Sequence, residues 1–253
     1  MVQAWANFCY GLGRYQGASG AMKVKLLASV ADLAEAELAC ALGADLVDLK
    51  DPNRGALGAW RLQDLRRAVR RLGGRRPMSA TVGDLPMTPE LLLEAARATA
   101  ATGVDIVKVG FFASPAQRDC ALALAAAAAD GARLVAVLMA DQGPDPTLLP
   151  VLREAGFHGA MLDTARKDAG GLRRWLGLPE IARFVQTARA LGLLTGLAGS
   201  LRVEGIVPLA ALRPDYLGFR GALCRGNRTG GLDPDAFKAV RSALDRASSG
   251  LAA

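Results

Sequence analysis

The sequence predicts an α/β fold, specifically a single-domain (β/α)8 barrel of the TIM type. Three observations carry this expectation. Short apolar, β-branched runs alternate with amphipathic helical stretches eight times. The runs are continuously apolar rather than alternating, as strands buried on both faces are. The chain has 253 residues, close to the roughly 250 that such a barrel takes. No G-x-G-x-x-G follows the first strand, which counts against a doubly wound dinucleotide-binding sheet.

The elements follow in order. The first strand is expected at 24–30, with a helix at 32–42. The second pair is 44–50 and 59–72, the third 78–82 and 89–102, the fourth 104–109 and 115–130. The fifth is 133–140 and 146–155, and the sixth 159–164 and 179–191. The last two are 193–199 with 203–212, and 216–220 with 234–249. Pro89, Pro115, Pro146, Pro179 and Pro234 stand near helix starts, where a fixed φ is tolerated. Gly43, Gly156 and Gly192 stand at helix ends. The run at 122–129 is nearly all alanine, the best helix former. Residues 1–21 show no period and lack the basic start and apolar core of a signal peptide. They read as a poorly ordered extension to a barrel of 22–253, or as sequence upstream of a native start at Met22. A short segment capping the fold is the alternative.

Composition excludes several classes. Half the residues are hydrophobic (51%) and the charges are mixed, which does not suit a disordered chain. The longest apolar run, 120–129, is about half of the roughly 20 residues a membrane span needs. Cys9, Cys40, Cys120 and Cys224 lack C-x-x-C spacing, so neither a zinc site nor a disulfide framework is expected. A reduced, cytoplasmic setting fits. His158 is the single histidine, which removes multi-histidine metal sites. It precedes the sixth strand, at the end away from the chemistry, and reads as structural or surface. Few aromatics argue against single-stranded nucleic-acid binding. The basic segment Arg66, Arg67, Arg70, Arg71, Arg75 and Arg76 reads as the solvated face and end of the second helix rather than a nucleic-acid patch.

Only six of the 31 basic residues are lysine: Lys23, Lys25, Lys50, Lys108, Lys167 and Lys238. Arginine covers the surface, so each lysine calls for a reason. In a barrel of this kind the active site lies at the C-terminal strand ends. Those ends carry Ser29, Asp48 and Lys50, Thr81 and Asp84, Lys108, Asp141, Asp163 with Lys167, Gly199-Ser200 and Arg220-Gly221. Asp48 and Lys50 are two apart and share a face. A guanidinium stays protonated. An amine can be pushed toward neutrality and can then attack a carbonyl. Asp48 and Asp163 could hold a lysine charged or shuttle protons. The competing reading is an internal Lys–Asp ion-pair network with no catalytic part. Gly199-Ser200 and Arg220-Gly221-Ala222 end the seventh and eighth strands, where barrels often bind phosphate. Cys224 lies near this loop, but no histidine partner suggests a nucleophile.

At these residues the sequence resembles the (5-formylfuran-3-yl)methyl phosphate synthases. The stretches are Gly43-Ala-Asp-Leu-Val-Asp-Leu-Lys-Asp-Pro52 with Gly55-Ala-Leu-Gly58, Ser79-Ala-Thr-Val-Gly-Asp84, and Asp105-Ile-Val-Lys-Val-Gly110. Ala160-Met-Leu-Asp-Thr-Ala165 with Lys167-Asp168, Leu197-Ala-Gly-Ser-Leu201, and Arg220-Gly-Ala222 with Cys224 complete them. The resemblance implies a TIM-like barrel that condenses two glyceraldehyde 3-phosphate molecules to a furan aldehyde phosphate, in methanofuran or methylofuran synthesis. It implies functional lysines at Lys50, Lys108 and Lys167, and acidic partners at Asp48 and Asp163. The loop 224–231, which contains Arg228, departs from the family in length and detail. The expected site is therefore catalytic Lys50, Lys108, Lys167, Asp48 and Asp163, with Ser29, Gly199, Ser200, Arg220, Gly221 and Ala222 binding phosphate or substrate. No metal or other cofactor is called for, and the partner is a small phosphorylated molecule, with neither nucleic acid nor membrane. Association into a homo-oligomer through outer helices is a further expectation. Three other readings stand beside this one: a different Schiff-base aldolase of the same architecture, a basic nucleic-acid scaffold, and a degenerate, non-catalytic member of the family.

Overall fold

The computed structural model describes residues 23–250, so the expectations for 1–21 lie outside the described residues. The strands are β1 (Lys25–Val30), β2 (Leu46–Leu49), β3 (Met78–Thr81), β4 (Ile106–Phe111), β5 (Leu134–Met139), β6 (Gly159–Asp163), β7 (Leu194–Leu197) and β8 (Tyr216–Phe219). They pair in sequence order, all parallel, and β8 closes on β1. The helices are α1 (Leu33–Ala41), α2 (Leu62–Leu72), α3 (Pro89–Ala100), α4 (Gln117–Ala129), α5 (Leu148–Glu154), α6 (Leu172–Trp175), α7 (Leu178–Ala190), α8 (Ile206–Ala210) and α9 (Pro234–Gly250).

Each expected strand and helix is present, with differences at the edges. The strand expected at 44–50 stops at Leu49, so Lys50 opens the following loop. The helix expected at 203–212 begins as a 3-10 turn, Val203–Gly205, before α8. The short α6 was not expected. Four residues cannot display a 3.6-residue period, and this turn lies between Gly171 and Gly177.

Inward- and outward-facing residues alternate along each strand. Outward strand residues such as Val47 meet helix residues such as Leu92, Leu124, Ile181 and Val240 in the shell between strands and helices. Inward residues Leu27, Leu46, Ile106, Val137, Met161, Leu194 and Tyr216 fill the lower barrel. The next inward positions up are Ser29, Asp48, Ser79, Lys108 and Asp163, a buried polar layer on an apolar plug.

The plug depends on one close approach. A Cβ on Gly196 would lie 2.3 Å from the Tyr216 ring, and the ring has no room to retreat in a filled barrel. Gly196→Ala is expected to cost about 1–3 kcal/mol, the usual overpacking penalty, read by urea denaturation.

The lower rim is braced by three aspartates, each immediately before a strand. Asp45 accepts from the backbone N–H of Leu26 (2.7 Å), Asp105 from Met78 (2.8 Å) and Asp215 from Thr195 (2.6 Å). Each locks the register of an adjacent strand pair at the base. Asp48 and Asp163, in contrast, sit higher on their strands, inside the barrel. No described helix is long and apolar enough to cross a membrane.

Candidate active site

The buried polar layer brings together all three strand-end lysines and both aspartates. Asp48 is the hub. Its carboxylate accepts hydrogen bonds from Ser79 Oγ (2.6 Å), Ser29 Oγ (2.9 Å) and Lys108 Nζ (3.1 Å). Strands β1, β3 and β4 thus each send one donor to an acceptor on β2. Asp163, at the end of β6, accepts from Lys167 Nζ and from the Thr164 backbone N–H (2.8 Å). Lys50 stands between the two carboxylates. Its Nζ lies 4.0 Å from Asp48 and 3.7 Å from Asp163, beyond hydrogen-bond distance of either.

Burial and charge set the protonation of this array. Burial pushes the Asp48 carboxyl up, but Lys108, Lys50 and the Ser79 hydroxyl outweigh it and hold it below its ordinary value. Burial also pushes Asp163 up, and Lys167 and Lys50 overturn that, holding it at about 2. Burial pushes Lys108 down against the pull of Asp48, and the neighbouring Lys50 charge adds to the fall. Burial brings Lys167 down to about 8 despite Asp163, with the Lys50 and Arg228 charges contributing. These directions fix a stability profile. Unfolded, Lys167 holds its proton up to the 10.5 of an exposed lysine, but in the fold it loses it near 8. The unfolded state then binds more protons across that interval, so stability is expected to rise from about pH 8 to about pH 10.5. Asp163 acts at the other end: its contribution is present above 3.8 and is lost as pH falls toward 2. Denaturation midpoints measured across both windows check each sign.

The array floors a cavity of about 680 Å³ at the C-terminal mouth, with Lys50, Lys108, Lys167 and Asp163 in its lining. The β7 and β8 loops form another wall through Gly199, Ser200, Gly221 and Ala222. Gly199 and Ser200 both have left-handed φ, +100° and +47°. Left-handed φ is uncommon for a serine. The Ser200 hydroxyl donates to the Lys167 carbonyl (3.0 Å), tying this turn to the lysine's own loop. A 3-10 turn, Gly221–Leu223, opens with N–H groups that have no acceptor inside the turn. Small residues and open N–H groups suit an anion.

Several expected residues have different partners from those the sequence suggests. Arg220, expected at the phosphate, has all five N–H groups engaged. They meet Glu35, Ser29 O (3.3 Å), Arg228 O (2.7 Å) and Gly230 O (2.8 Å). Its guanidinium builds the loop wall and has no donor left for an anion. Ser29, expected at the substrate, both lines the cavity and holds Asp48. Asp84 and Asp141 lie at strand ends but serve as loop anchors. Asp84 accepts from the Ala56 and Leu57 N–H groups (both 2.7 Å). Asp141 accepts from Ala165 (2.7 Å) and Arg166 (2.8 Å). Thr81 donates to the Gly58 carbonyl at 3.2 Å. Ser79 was missed as a site residue, because an inward serine within a strand carries no signal until its neighbour across the sheet is known.

The remaining candidates behave as structural residues. His158 lies at the barrel base, and its buried Nε2 has no hydrogen-bond partner among the described residues. Burial, with Arg133, lowers its pKa below the ordinary value. Cys224 is buried against the Arg220 carbonyl, and burial pushes its thiol up to about 11. The six arginines of α2 and its C-terminal turn are all exposed.

Comparison with known proteins bears directly on the family. A family profile described as 4-HFC-P synthase matches residues 26–241. The chain is 35% identical over 221 residues to the (5-formylfuran-3-yl)methyl phosphate synthase of Methanosarcina barkeri, covering 81% of this chain and 93% of that one. It is 37% identical over 241 residues to the synthase of the same name from Methanopyrus kandleri, covering 89% and 97%. A Methylorubrum extorquens protein provisionally given that name is 45% identical over 203 residues, covering 80% and 84%. Among solved structures, 3-hexulose-6-phosphate synthase from Salmonella typhimurium superposes with a TM-score of 0.63 at 14% identity, covering 88% of this chain and 99% of that one. Phosphoribosyl anthranilate isomerase from Thermus thermophilus superposes at 0.61 and 17%, with the same coverage. These two likenesses speak for the barrel fold alone. With most of its length matched by the profile and by these relatives, the chain belongs to the 4-HFC-P synthase family.

Proposed function

We propose that this enzyme condenses two molecules of glyceraldehyde 3-phosphate into (5-formylfuran-3-yl)methyl phosphate, with loss of one phosphate and two waters. The observation that carries the reading is the placement of Lys50. Its amine faces the cavity between two carboxylates, and neither holds it in a hydrogen bond. Lys50 adds to a substrate carbonyl, and loss of water leaves an iminium. The iminium acidifies the adjacent C–H, as isomerisation, phosphate elimination and aldol addition all require. Asp48 and Asp163 accept and return the protons, each already within 4.0 Å of the amine. Lys108 is an electrostatic helper beside Asp48, where a fixed cation stabilises developing negative charge. The N–H groups of the β7 and β8 loops take a phosphate.

A second assignment has its own support. Lys167, with its pKa at about 8, is partly neutral near pH 7.5 and is the alternative iminium former. Another aldolase-type reaction on a sugar phosphate is the alternative chemistry. Incubation with glyceraldehyde 3-phosphate alone tests the proposal. The expected result is a furan aldehyde absorbance in the near ultraviolet, with one inorganic phosphate released per furan. The absence of both absorbance and phosphate release would overturn it.

A further inference from the structure

Two loops roof the cavity, 51–58 after β2 and 224–231 after β8. The first is held from opposite sides. Asp84 accepts its Ala56 and Leu57 N–H groups, and the Arg228 guanidinium donates to its Pro52 (2.8 Å) and Gly55 (3.0 Å) carbonyls. Gly55 has a φ of +107°, and a Cβ there would lie 2.1 Å from an Asp84 carboxylate oxygen. The clamp therefore tolerates no bulk at that point. Arg228 in turn depends on a partly buried ion pair. Arg220 binds the carbonyls of Arg228 and Gly230, and its charge is met by Glu35 in the first turn of α1. Glu35 also accepts from the Leu232 N–H (3.1 Å), beyond the far end of the same loop. One carboxylate outside the catalytic array thus reaches both ends of the segment that carries the clamp.

We propose that Glu35, acting through Arg220, is a positioning residue that sets Arg228 and so closes the two roof loops over the bound substrate. This rests on the reading that the cavity takes a phosphorylated triose. Glu35 touches neither the cavity nor the five-residue array, so its substitution acts on capture rather than on the chemical step.

The test compares Glu35→Gln, Arg228→Gln and the double variant, in KM, kcat and hydrogen exchange at the Ala56 and Leu57 amides. Glutamine keeps the size of Glu35 and one acceptor while removing the charge that Arg220 requires. Each single substitution is expected to raise KM for glyceraldehyde 3-phosphate about tenfold with kcat within about twofold, the mark of lost binding rather than lost chemistry. Both should speed exchange at the two amides. The double variant should be no worse than Arg228→Gln, because both act through one clamp. Parental KM and exchange in Glu35→Gln, or effects that multiply in the double variant, would overturn the inference. If Glu35→Gln does not fold, Glu35→Asp keeps the charge but shortens the reach. A smaller change in the same direction supports the proposal, and parental behaviour overturns it. If the parent enzyme fails to consume glyceraldehyde 3-phosphate, the functional reading fails. The exchange measurements then still decide the coupling.

Discussion

Lys50→Arg is expected to fold with a melting temperature close to the parent's and to lose turnover by about 10⁴-fold or more, the scale seen when a covalent catalyst is removed. The substitution keeps the positive charge between Asp48 and Asp163, so the two buried carboxylates stay compensated. What it removes is the nucleophile. A guanidinium holds its proton far above any working pH, and its delocalised lone pairs do not add to a carbonyl. Lys108 cannot replace Lys50 in place, because it is fully buried and hydrogen-bonded to Asp48. A structural ion-pair network would predict the opposite: the charge-conserving variant would keep the activity. Steady-state kinetics beside a thermal melt separate the two readings. If turnover survives within about tenfold, Lys50 is not the iminium former, and Lys167 takes its place.

Asp163→Asn is expected to destabilise the fold by about 3–5 kcal/mol near neutral pH, the usual cost of leaving a buried charge without its partner. Asp163 compensates both Lys167 and Lys50. Without it, three lysines face only Asp48, and Lys167 keeps no carboxylate partner. The deficit should narrow as the solution becomes alkaline. Lys167 already gives up its proton near 8 in the parent, and losing Asp163 moves that point lower still. Once Lys167 is neutral, the charge left uncompensated by the substitution is gone. Urea denaturation at about pH 6 and about pH 9.5 measures both the size of the loss and its decline. A deficit that stays constant across that range would mean Lys167 is not the group left unpaired. Activity should fall as well, since one of the two carboxylates beside Lys50 no longer accepts a proton.

The barrel is legible in the sequence because parallel strands buried on both faces leave continuous apolar runs, and eight of them survive reading without any structure. The lysine array is legible for a different reason. A chain that uses arginine for most of its positive charge leaves Lys50, Lys108 and Lys167 conspicuous at strand ends, and the two-residue period puts Asp48 beside Lys50. What stays hidden is long-range pairing. Arg220 stands at a strand end near a glycine turn and so reads as an anion ligand, yet its partner Glu35 lies 185 residues away. Asp84 and Asp141 occupy the same kind of position as Asp163. In the fold they lie beyond their strands, where two loop N–H groups engage each of them, whereas Asp163 is the buried last residue of β6 and faces Lys50 and Lys167. The four-residue α6 leaves no periodic trace. Strand ends thus announce which side chains reach the mouth, while loop geometry decides which of them remain free for substrate.

The account's central claim is that a lysine at this mouth forms an iminium with a triose phosphate. Its most direct measurement is borohydride reduction in the presence of glyceraldehyde 3-phosphate, followed by peptide mapping of the adduct. The account predicts a reduced, irreversibly inactivated enzyme with the label on Lys50, and no label there in Lys50→Arg. Furan product forming with no trapped adduct on Lys50 or Lys167 would contradict it.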